Sequence, residues 1–378
     1  QPLYLMRISE DVHQEQDKPE IVYCGPHHAE EPLAVEIVMG IADSLLNGYS
    51  QNDPTIMNWL ENCEILILCD LNPDGHDEVL GGQWAYKRKN GYDSNQNGIY
   101  EQYEDGVDIN RQYDHYWDIT EVLPPSHENY KGEAPFTMLE IVSWRDFLLK
   151  ERPQMVIYYH SATSGNINER IYYPGKWSLG GGNYLYGPDY DLSEEIAHQL
   201  SNRLPKDYEP GNYRWEQAYG TSRASRARDW TYIYCGTLSW LIEVGGRYQT
   251  DEGYYVGIVR PGPEMRQEVV NKNINAAFYL LERSLRAGFS GYVYNAVTNQ
   301  PLPAEITILQ VDSDILEPRI CDENGHFYRY LEIGAYTVRA EMPGFETVTL
   351  TNQVISNLSL TELDIPMTPI DHEDLAIE

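Results

Sequence analysis

The stretch IVYCGPHHAEEPLAVEIVMGIADSLL, residues 21–46, joins two different hydrophobic patterns. Ile21 to Gly25 is a short apolar run closed by a glycine, which is typical of a strand buried on both faces of a sheet. Leu33 to Leu46 repeats apolar residues at helical spacing, with Pro32 at its entry and Gly48 just past its end. A buried strand that leads into a helix in this way indicates an α/β fold.

The same alternation continues along the chain. Three more apolar runs predict buried strands, and two more periodic segments predict helices. The strands are Glu64 to Cys69, Met155 to His160 and Thr237 to Val244, and the helices are Ser193 to Leu204 and Glu264 to Arg286. Residues 1–288 are therefore predicted to form an α/β domain with a largely buried sheet.

After Gly288 the pattern changes to short strand pairs separated by NQP, ENG and MPG turns. Strand pairs at this spacing predict a small all-β sandwich over residues 289–370. The acidic end, residues 371–378, is expected to be a frayed tail.

Charge and composition limit the classes of partner. The chain has 27 Lys and Arg against 59 Asp and Glu, a formal net charge of −32, so its field repels phosphate backbones and anionic headgroups. Nucleic acid is therefore not expected as a partner. No apolar run reaches the roughly 20 residues of a membrane-spanning helix. The five cysteines, an odd number without CxxC spacing, do not indicate a disulfide framework.

A candidate metal site lies where the first strand passes into the first helix. His28 and Glu31 are three residues apart there, and His27 and Glu30 have the same spacing. One such pair is a weak signal and needs a third ligand. His160 supplies one, because it ends a buried strand, and ligands gather at the carboxyl ends of strands in open α/β sheets. A histidine satisfied within the core is the alternative. Two histidines and a carboxylate are a ligand set of catalytic zinc, whose fourth position stays open for water.

Hydrolysis at such a zinc also requires a carboxylate base beside the water. Glu243 is the candidate, because a lone carboxylate in the apolar run TLSWLIEVGG is costly without a purpose. A structural buried glutamate with a hydrogen-bonded partner is the alternative.

These residues, in this order, resemble the zinc metallocarboxypeptidases of the carboxypeptidase A type over residues 1–288. The shared motifs are HHAEE (27–31), NPDG (72–75), KRKN (87–90), GVDINRQY (106–113), YYHS (158–161) and DWTY (229–232). The resemblance implies a mixed, mostly parallel sheet flanked by helices and a Zn²⁺ ion held by His28, Glu31 and His160. The implied activity is hydrolysis of the C-terminal bond of peptides or proteins. An initial helix and strand of the family would be missing before residue 1.

The resemblance also implies a role for each remaining site residue. Glu243 would be the general base, and Arg88 would be the cation that stabilises the oxyanion. Asn110 and Arg111 would bind the terminal carboxylate of the substrate, for which the planar fork of arginine is suited. Asp108 resembles the carboxylate that orients the first zinc histidine.

Three positions depart from the family pattern. Glu30 stands where the family has an arginine, which alters an outer substrate subsite. The capping tyrosine of the family aligns with Thr221, so Tyr219 is the nearest candidate for its role. Arg228 stands at the base of the pocket for the terminal side chain, which predicts a preference for C-terminal Glu or Asp. The alternative is that Arg228 pairs with a neighbouring acid and leaves a polar pocket.

The segment DSNQNGIYEQYE, residues 93–104, matches a calcium loop position by position. The predicted Ca²⁺ ligands are Asp93, Asn95, Asn97, the Ile99 carbonyl, Glu101 and Glu104, with Gly98 at the turn. An empty polar loop is the alternative. A calcium ion here would brace the loop that carries Asn110 and Arg111.

A zinc-dependent carboxypeptidase acting on peptide or protein C-termini is the leading interpretation. The alternatives are a related zinc amidase that acts on cell-wall peptides or acylated amino acids, and a non-catalytic peptide-binding pseudoenzyme. The sandwich resembles the transthyretin-like domain of one branch of the family, which predicts a stabilising or docking role. The chain opens on QPLYLMRIS without a signal-peptide pattern, and a secreted or periplasmic location is the expectation. The sequence does not indicate an oligomeric state.

Overall fold

The computed structural model describes the chain except residues 14–17, 83–85, 162–168, 181–182, 208, 218–224, 246, 250, 253–254, 258–260, 314–315 and 371–378. Tyr219, Thr221 and the predicted acidic tail therefore lie outside the described residues. The chain divides into two compact units, Gln1–Leu281 and Glu282–Glu378.

The first unit alternates strands and helices. Its strands are β1 (Leu5–Ile8), β2 (Glu20–Cys24), β3 (Glu64–Leu68), β4 (Met155–Ser161), β5 (Arg170–Tyr173), β6 (Lys176–Gly180), β7 (Asn183–Tyr186), β8 (Arg214–Gln217), β9 (Leu238–Val244), β10 (Arg247–Gln249) and β11 (Tyr255–Gly257). Its helices are α1 (Pro32–Ser50), α2 (Pro54–Asn62), α3 (Pro73–Leu80), α4 (Leu139–Glu151), α5 (Tyr190–Ser201), α6 (Ala227–Cys235) and α7 (Pro263–Ser284), with 3₁₀ turns at Ile109–Arg111 and Trp117–Ile119.

Seven of these strands form the central sheet, in the order β1-β3-β2-β4-β9-β5-β8. Neighbouring strands are parallel from β3 through β2 and β4 to β9, and again between β5 and β8. β1 is antiparallel to β3, and β5 is antiparallel to β9. The predicted fold class, a mixed and mostly parallel sheet with helices, is therefore confirmed.

The core explains why the central strands are continuously apolar. Every residue of β2, β3 and β4 is buried. On one face of the sheet, Val22, Leu66 and Val156 pack in a cluster with Trp144 and Leu148 of α4. Burying a large apolar side chain stabilises the fold by about 1.5–3 kcal/mol. A polar residue inside these runs forgoes that stabilisation, so its presence calls for a separate explanation.

Parallel pairing also decides where chemistry can occur. Because β2, β4 and β9 run in one direction, their carboxyl ends meet at one edge of the sheet. Ligand sites of open α/β sheets lie at this edge. The loop after β2 and the last residues of β4 and β9 are therefore brought together there.

The second unit contains strands β12 (Gly288–Asn295), β13 (Glu305–Ile308), β14 (His326–Tyr330), β15 (Gly334–Glu341), β16 (Val348–Ile355), β17 (Leu360–Glu362) and β18 (Ile365–Met367). One sheet is centred on β12, which pairs with β14, β17 and β18, and the other has the order β13-β15-β16. Phe289, Val293, Ile306, Val338 and Ile355 contribute to a core shared by both sheets.

Two further features concern the described residues. None of the helices described is long and apolar enough to cross a membrane. The five cysteines are free thiols, and all except the half-buried Cys69 are buried.

Candidate functional site

The loop between β2 and α1 turns two polar side chains toward each other. A Cβ atom on Gly25 would lie 2.0 Å from the carbonyl oxygen of Cys69, so only glycine allows this close approach. Glu31 N donates to His28 O at 3.2 Å, and Pro32 then begins α1. This local fold places His28 Nδ1 2.8 Å from Glu31 Oε1.

His160, the penultimate residue of β4, completes the cluster because β4 is the parallel neighbour of β2. Its Nδ1 lies 3.1 Å from His28 Nδ1 and 2.9 Å from Glu31 Oε2. All three residues are buried: His160 is 1% exposed, His28 4% and Glu31 3%. Across the described part of the chain, they are the one group of His, Cys, Asp or Glu residues close enough to share a metal ion.

The donor set fits a zinc ion. Zinc bonds of about 2.0–2.1 Å to nitrogen and oxygen place tetrahedral ligand atoms about 3.3 Å apart. The shortest separations between the three side chains, 2.8–3.1 Å, are about 0.2–0.5 Å below that spacing, and the two that involve Glu31 use different oxygens of its carboxylate. Burial opposes ionisation of Glu31, but His28 and His160 outweigh it and lower the pKa of this carboxyl. The three residues thus offer an ionised carboxylate and two imidazoles, as at catalytic zinc sites with an open fourth position.

Asp108 orients one of the imidazoles. Asp108 is fully buried and immediately precedes the 3₁₀ turn Ile109–Arg111. Its Oδ1 lies 3.3 Å from His28 Nε2. Its Oδ2 accepts hydrogen bonds from Arg88 Nε at 3.0 Å and Nη2 at 2.9 Å, and Arg111 Nη1 is 3.5 Å away. Burial favours the neutral acid, but the two guanidinium groups hold the pKa of Asp108 well below its usual range. An ionised carboxylate in this position favours a His28 tautomer with Nδ1 available to a metal.

Asn110 and Arg111, the predicted carboxylate-binding pair, lie beside the ligand cluster. Asn110 Nδ2 is 3.4 Å from His160 Nε2, and its Oδ1 accepts from the backbone N–H of Ala227, which begins α6. Arg111 Nη2 donates to Asn129 Oδ1 at 2.9 Å. Sequence reasoning missed Asn129, because no motif or spacing near it marks a contact with a residue 18 positions earlier.

Glu243, the predicted base, lies beside the same cluster. In the parallel pair β4–β9 its register partner is His160. Register partners direct their side chains to the same face of a sheet, so Glu243 shares a face with the ligand. Burial raises the pKa of Glu243; the charge of His160 opposes this shift, and Glu31 adds to it. The structure therefore brings a half-buried carboxyl to the side of the three metal-binding candidates.

His27 and Glu30, the second pair with three-residue spacing, do not join the metal cluster. His27 Nε2 lies 2.9 Å from the hydroxyl of Tyr113, and its ring stacks on His160 with centroids 5.3 Å apart. Burial, followed by the charge of Glu31, raises the pKa of Glu30 to about 7.

Arg228, the predicted specificity residue, is buried near the start of α6 and is 2% exposed. Its Nη2 donates to Asp229 Oδ2 at 2.6 Å, and its guanidinium carbon lies 5.8 Å from the centre of the Tyr172 ring. Burial lowers the pKa of the adjacent His115, with Asp229 opposing this shift and Arg228 adding to it. The neighbouring acid that the alternative interpretation required is thus Asp229.

The predicted calcium loop is folded on its own hydrogen bonds. Asp93 Oδ2 accepts from the backbone N–H of Gly98 at 2.8 Å. The side-chain amides of Asn95 and Asn97 both donate to Glu101 Oε2 at 3.1 Å. Within the residues that the structure describes, this loop does not form a second metal-binding group of acidic or histidine side chains. The structure therefore gives no support for calcium here.

Comparison with known proteins agrees with this geometry. A family model described as zinc carboxypeptidase matches residues 1–266. The chain is 23% identical over 377 residues to carboxypeptidase D of Rattus norvegicus, covering 93% of this chain and 24% of that protein. It is 22% identical over 372 residues to the carboxypeptidase N catalytic chain of Mus musculus, covering 92% and 75%. The chain thus spans about a quarter of the length of carboxypeptidase D.

Two solved structures share the fold. Carboxypeptidase A from Helicoverpa armigera superposes with a TM-score of 0.57 at 18% identity, covering 74% of this chain and 64% of that one. Thrombin-activatable fibrinolysis inhibitor superposes with a TM-score of 0.56 at 18% identity, covering 75% and 66%. Because the family model extends over more than half of the sequence, this chain belongs to the zinc carboxypeptidase family.

Proposed function

We propose that this chain hydrolyses the C-terminal peptide bond of peptides or proteins, using zinc held by His28, Glu31 and His160. One observation carries the proposal: these three buried side chains converge at the edge of the sheet where Glu243 is the register partner of His160. A metal-binding group and a nearby carboxyl base are the minimum set for metal-assisted hydrolysis.

Glu243 carries the proton through the reaction. A zinc ion, when bound, polarises the substrate carbonyl and lowers the pKa of a water molecule. Glu243 accepts the proton that the attacking water loses and then delivers it to the leaving amine. Its position in a buried strand holds the carboxylate on the face occupied by the ligands.

Arg88 stabilises the negative charge that develops on the carbonyl oxygen of the substrate. Its guanidinium is anchored to Asp108 through two hydrogen bonds, so the cation is held in place before the substrate arrives. Preorganised donors of this kind contribute about 10²–10³-fold to the rate, because they need no reorganisation during the reaction.

Arg111 and Asn110 restrict hydrolysis to the last residue of a chain. The planar guanidinium binds a free carboxylate through parallel hydrogen bonds, and an internal peptide segment has no such group. Asn129 holds Arg111 Nη2 at 2.9 Å, and Ala227 N–H holds the Asn110 amide oxygen at 3.1 Å. These contacts support a fixed clamp beside the metal cluster.

We extend the proposal to a preference for C-terminal Glu or Asp, which the buried cation of Arg228 supports. Its ion pair with Asp229 weakens this part, because a paired guanidinium attracts a substrate carboxylate less strongly. Hydrolysis rates of peptides ending in Glu, Asp, Phe and Lys decide between an acidic preference and a polar pocket in which Arg228 is paired. The Arg228→Gln variant is measured for comparison. A higher kcat/KM for Phe or Lys than for Glu rejects the acidic preference.

The main test measures the zinc content of the purified chain and its turnover of N-blocked dipeptides with and without a chelator. We expect one zinc ion per chain, activity that the chelator removes, and recovery when zinc is added back. Failure of the zinc-loaded chain to cleave any blocked dipeptide rejects the function. Cleavage of acylated amino acids or cell-wall peptides alone favours the amidase instead.

The second unit is proposed to be a transthyretin-like module that stabilises or docks the enzyme. Its two sheets around one apolar core support this assignment. A calcium ion at residues 93–104 and a secreted or periplasmic location remain predictions from the sequence.

A further inference from the structure

Successive side chains of the segment 87–89 point in two directions, toward the metal cluster and toward the loop of residues 101–105. Arg88 turns toward the metal cluster and binds Asp108, and its backbone carbonyl accepts from Ala29 N–H at 3.1 Å. Lys87 and Lys89, only 1% and 3% exposed, reach instead into the loop of residues 101–105. One short segment thus joins the active site to this loop.

The ammonium group of Lys87 is surrounded by backbone carbonyls. Its Nζ lies 2.8 Å from Asp105 O, 3.0 Å from Gln102 O and 3.4 Å from Glu101 O. The ring of Tyr100 lies 4.6 Å from the same atom. Three carbonyl oxygens match the three N–H donors of an ammonium group. Lys87 therefore binds the backbone oxygens of this loop as a bound metal ion would.

Lys89 makes a second attachment to the same region. Its Nζ donates to Tyr103 O at 2.9 Å and also to Pro125 O. Holding these two cations out of water is costly. Burial lowers the pKa of Lys87 to about 7 and that of Lys89 to about 8.

The loop that the lysines hold continues directly into the active site. Gly106 follows it with φ of +90°, and a Cβ there would lie 2.4 Å from Asn90 O, so the two segments touch backbone to backbone. Asn90 N donates to Val107 O at 3.1 Å, and Asn90 Oδ1 accepts from Val107 N at 2.8 Å. Asp108, the anchor of Arg88, is the next residue.

We propose that Lys87 and Lys89 are positioning residues for Arg88: by holding loop 101–105 against segment 87–90, they fix the Arg88 guanidinium relative to Asp108. The lysines thereby brace the loop to which the sequence pattern assigned calcium. This inference rests on the proposed function, in which Arg88 stabilises the transition state. The lysines act through Arg88 and are not catalytic residues themselves.

The kinetic test compares Lys87→Met and Lys89→Met in the full zinc-loaded chain. The control is Lys272→Met in helix α7, which removes another buried ammonium, one that donates to Pro205 O at 2.9 Å and also pairs with Asp207. We expect at least a 10-fold lower kcat in both test variants, with KM within twofold and zinc content unchanged. The Ki of a phosphonate analogue of the tetrahedral intermediate should rise in proportion, whereas the control stays within twofold of wild type.

A second readout does not depend on activity. Hydrogen exchange of residues 101–111 should be faster in both test variants than in wild type or the control, and Lys87→Arg, which keeps a cationic donor, should retain protection and more of the kcat. The proposal is overturned if both Met variants keep wild-type kcat and exchange, or if the loss of kcat only follows a loss of zinc. If the wild type cleaves no blocked dipeptide, the proposed function fails, and the exchange result alone decides whether the lysines hold the loop.

Discussion

Replacement of Asp108 by Asn tests the electrostatic organisation of the site most directly. The fully buried carboxylate lies 3.3 Å from His28 Nε2, accepts two hydrogen bonds from Arg88, and lies 3.5 Å from Arg111. The amide has nearly the same shape but no charge. Asp108→Asn therefore leaves two guanidinium groups without their shared counter-ion and weakens the hold on the His28 ring.

The expected magnitude follows from these contacts. Loss of an outer partner of a metal-binding histidine typically lowers metal affinity about 10–100-fold, or about 1.4–2.8 kcal/mol. In Asp108→Asn, Arg88 also loses its charge-assisted hydrogen bonds to the carboxylate, each worth about 1.5–3 kcal/mol, and can form only weaker bonds to the neutral amide. We therefore expect the zinc Kd to rise about 10–100-fold and kcat/KM at saturating zinc to fall by about 100-fold or more.

Competition with a fluorescent chelator measures the zinc Kd, and initial rates with a blocked dipeptide measure kcat/KM. The matched control is Asp312→Asn in the second unit, where the half-buried carboxylate accepts from Arg329 Nη1 at 2.8 Å and Nη2 at 2.7 Å. That control should alter stability and leave zinc affinity unchanged. A zinc Kd within twofold of wild type in Asp108→Asn refutes the reasoning.

Three further predictions concern Glu243, Asp312 and Glu20. Glu243→Gln should lower kcat by about 10²–10⁴-fold with zinc content unchanged, and retained activity excludes Glu243 as the base. Burial alone would raise the pKa of Asp312, but Arg329 outweighs it and lowers the pKa. The stability that Asp312→Asn removes, about 3 kcal/mol at pH 7, should therefore shrink as pH falls below about 4, and urea midpoints from pH 7 to 3 should converge. Burial, then Glu151 and Glu64, raise the pKa of Glu20 from 4.5 to about 8, so ionisation destabilises the fold as pH rises through that window. Glu20→Gln should be more stable than wild type by about 1–3 kcal/mol at pH 8 and equal to it at pH 4; an equal difference at both pH values contradicts this assignment.

Local patterns were sufficient to predict four strands of the central sheet and three helices of the first unit. The apolar runs predicted as strands became β3, β4 and β9 to within one residue at each end, because a strand buried on both faces must be apolar throughout. The helix predicted over Ser193 to Leu204 is α5, Tyr190–Ser201, displaced by three residues. Helix ends depend on capping and local hydrogen bonds, which the spacing of apolar residues does not report.

Only part of the candidate site could be predicted from the sequence. The HxxE spacing and the histidine at the end of a buried strand indicated the metal ligands, since both depend on the local geometry of a strand end. Asn129 holding Arg111 carries no comparable signal, whereas the pairing of Arg228 with a neighbouring acid was one of the alternatives that the sequence left open. The lysine contacts with loop 101–105 also escaped, because a backbone carbonyl can bind an ammonium group whatever its side chain is.

The sequence by itself determined the class of fold, the likeness to a family, and the residue types from which a zinc site could be made. Only the tertiary structure decided that His28 Nδ1 lies 3.1 Å from His160 Nδ1 whereas His27 Nε2 contacts Tyr113, and that Glu243 shares the face of His160. The physical reason is that three segments far apart in the chain meet through parallel strand pairing. Their relative register is a property of the whole sheet and is not recorded in any one of the segments.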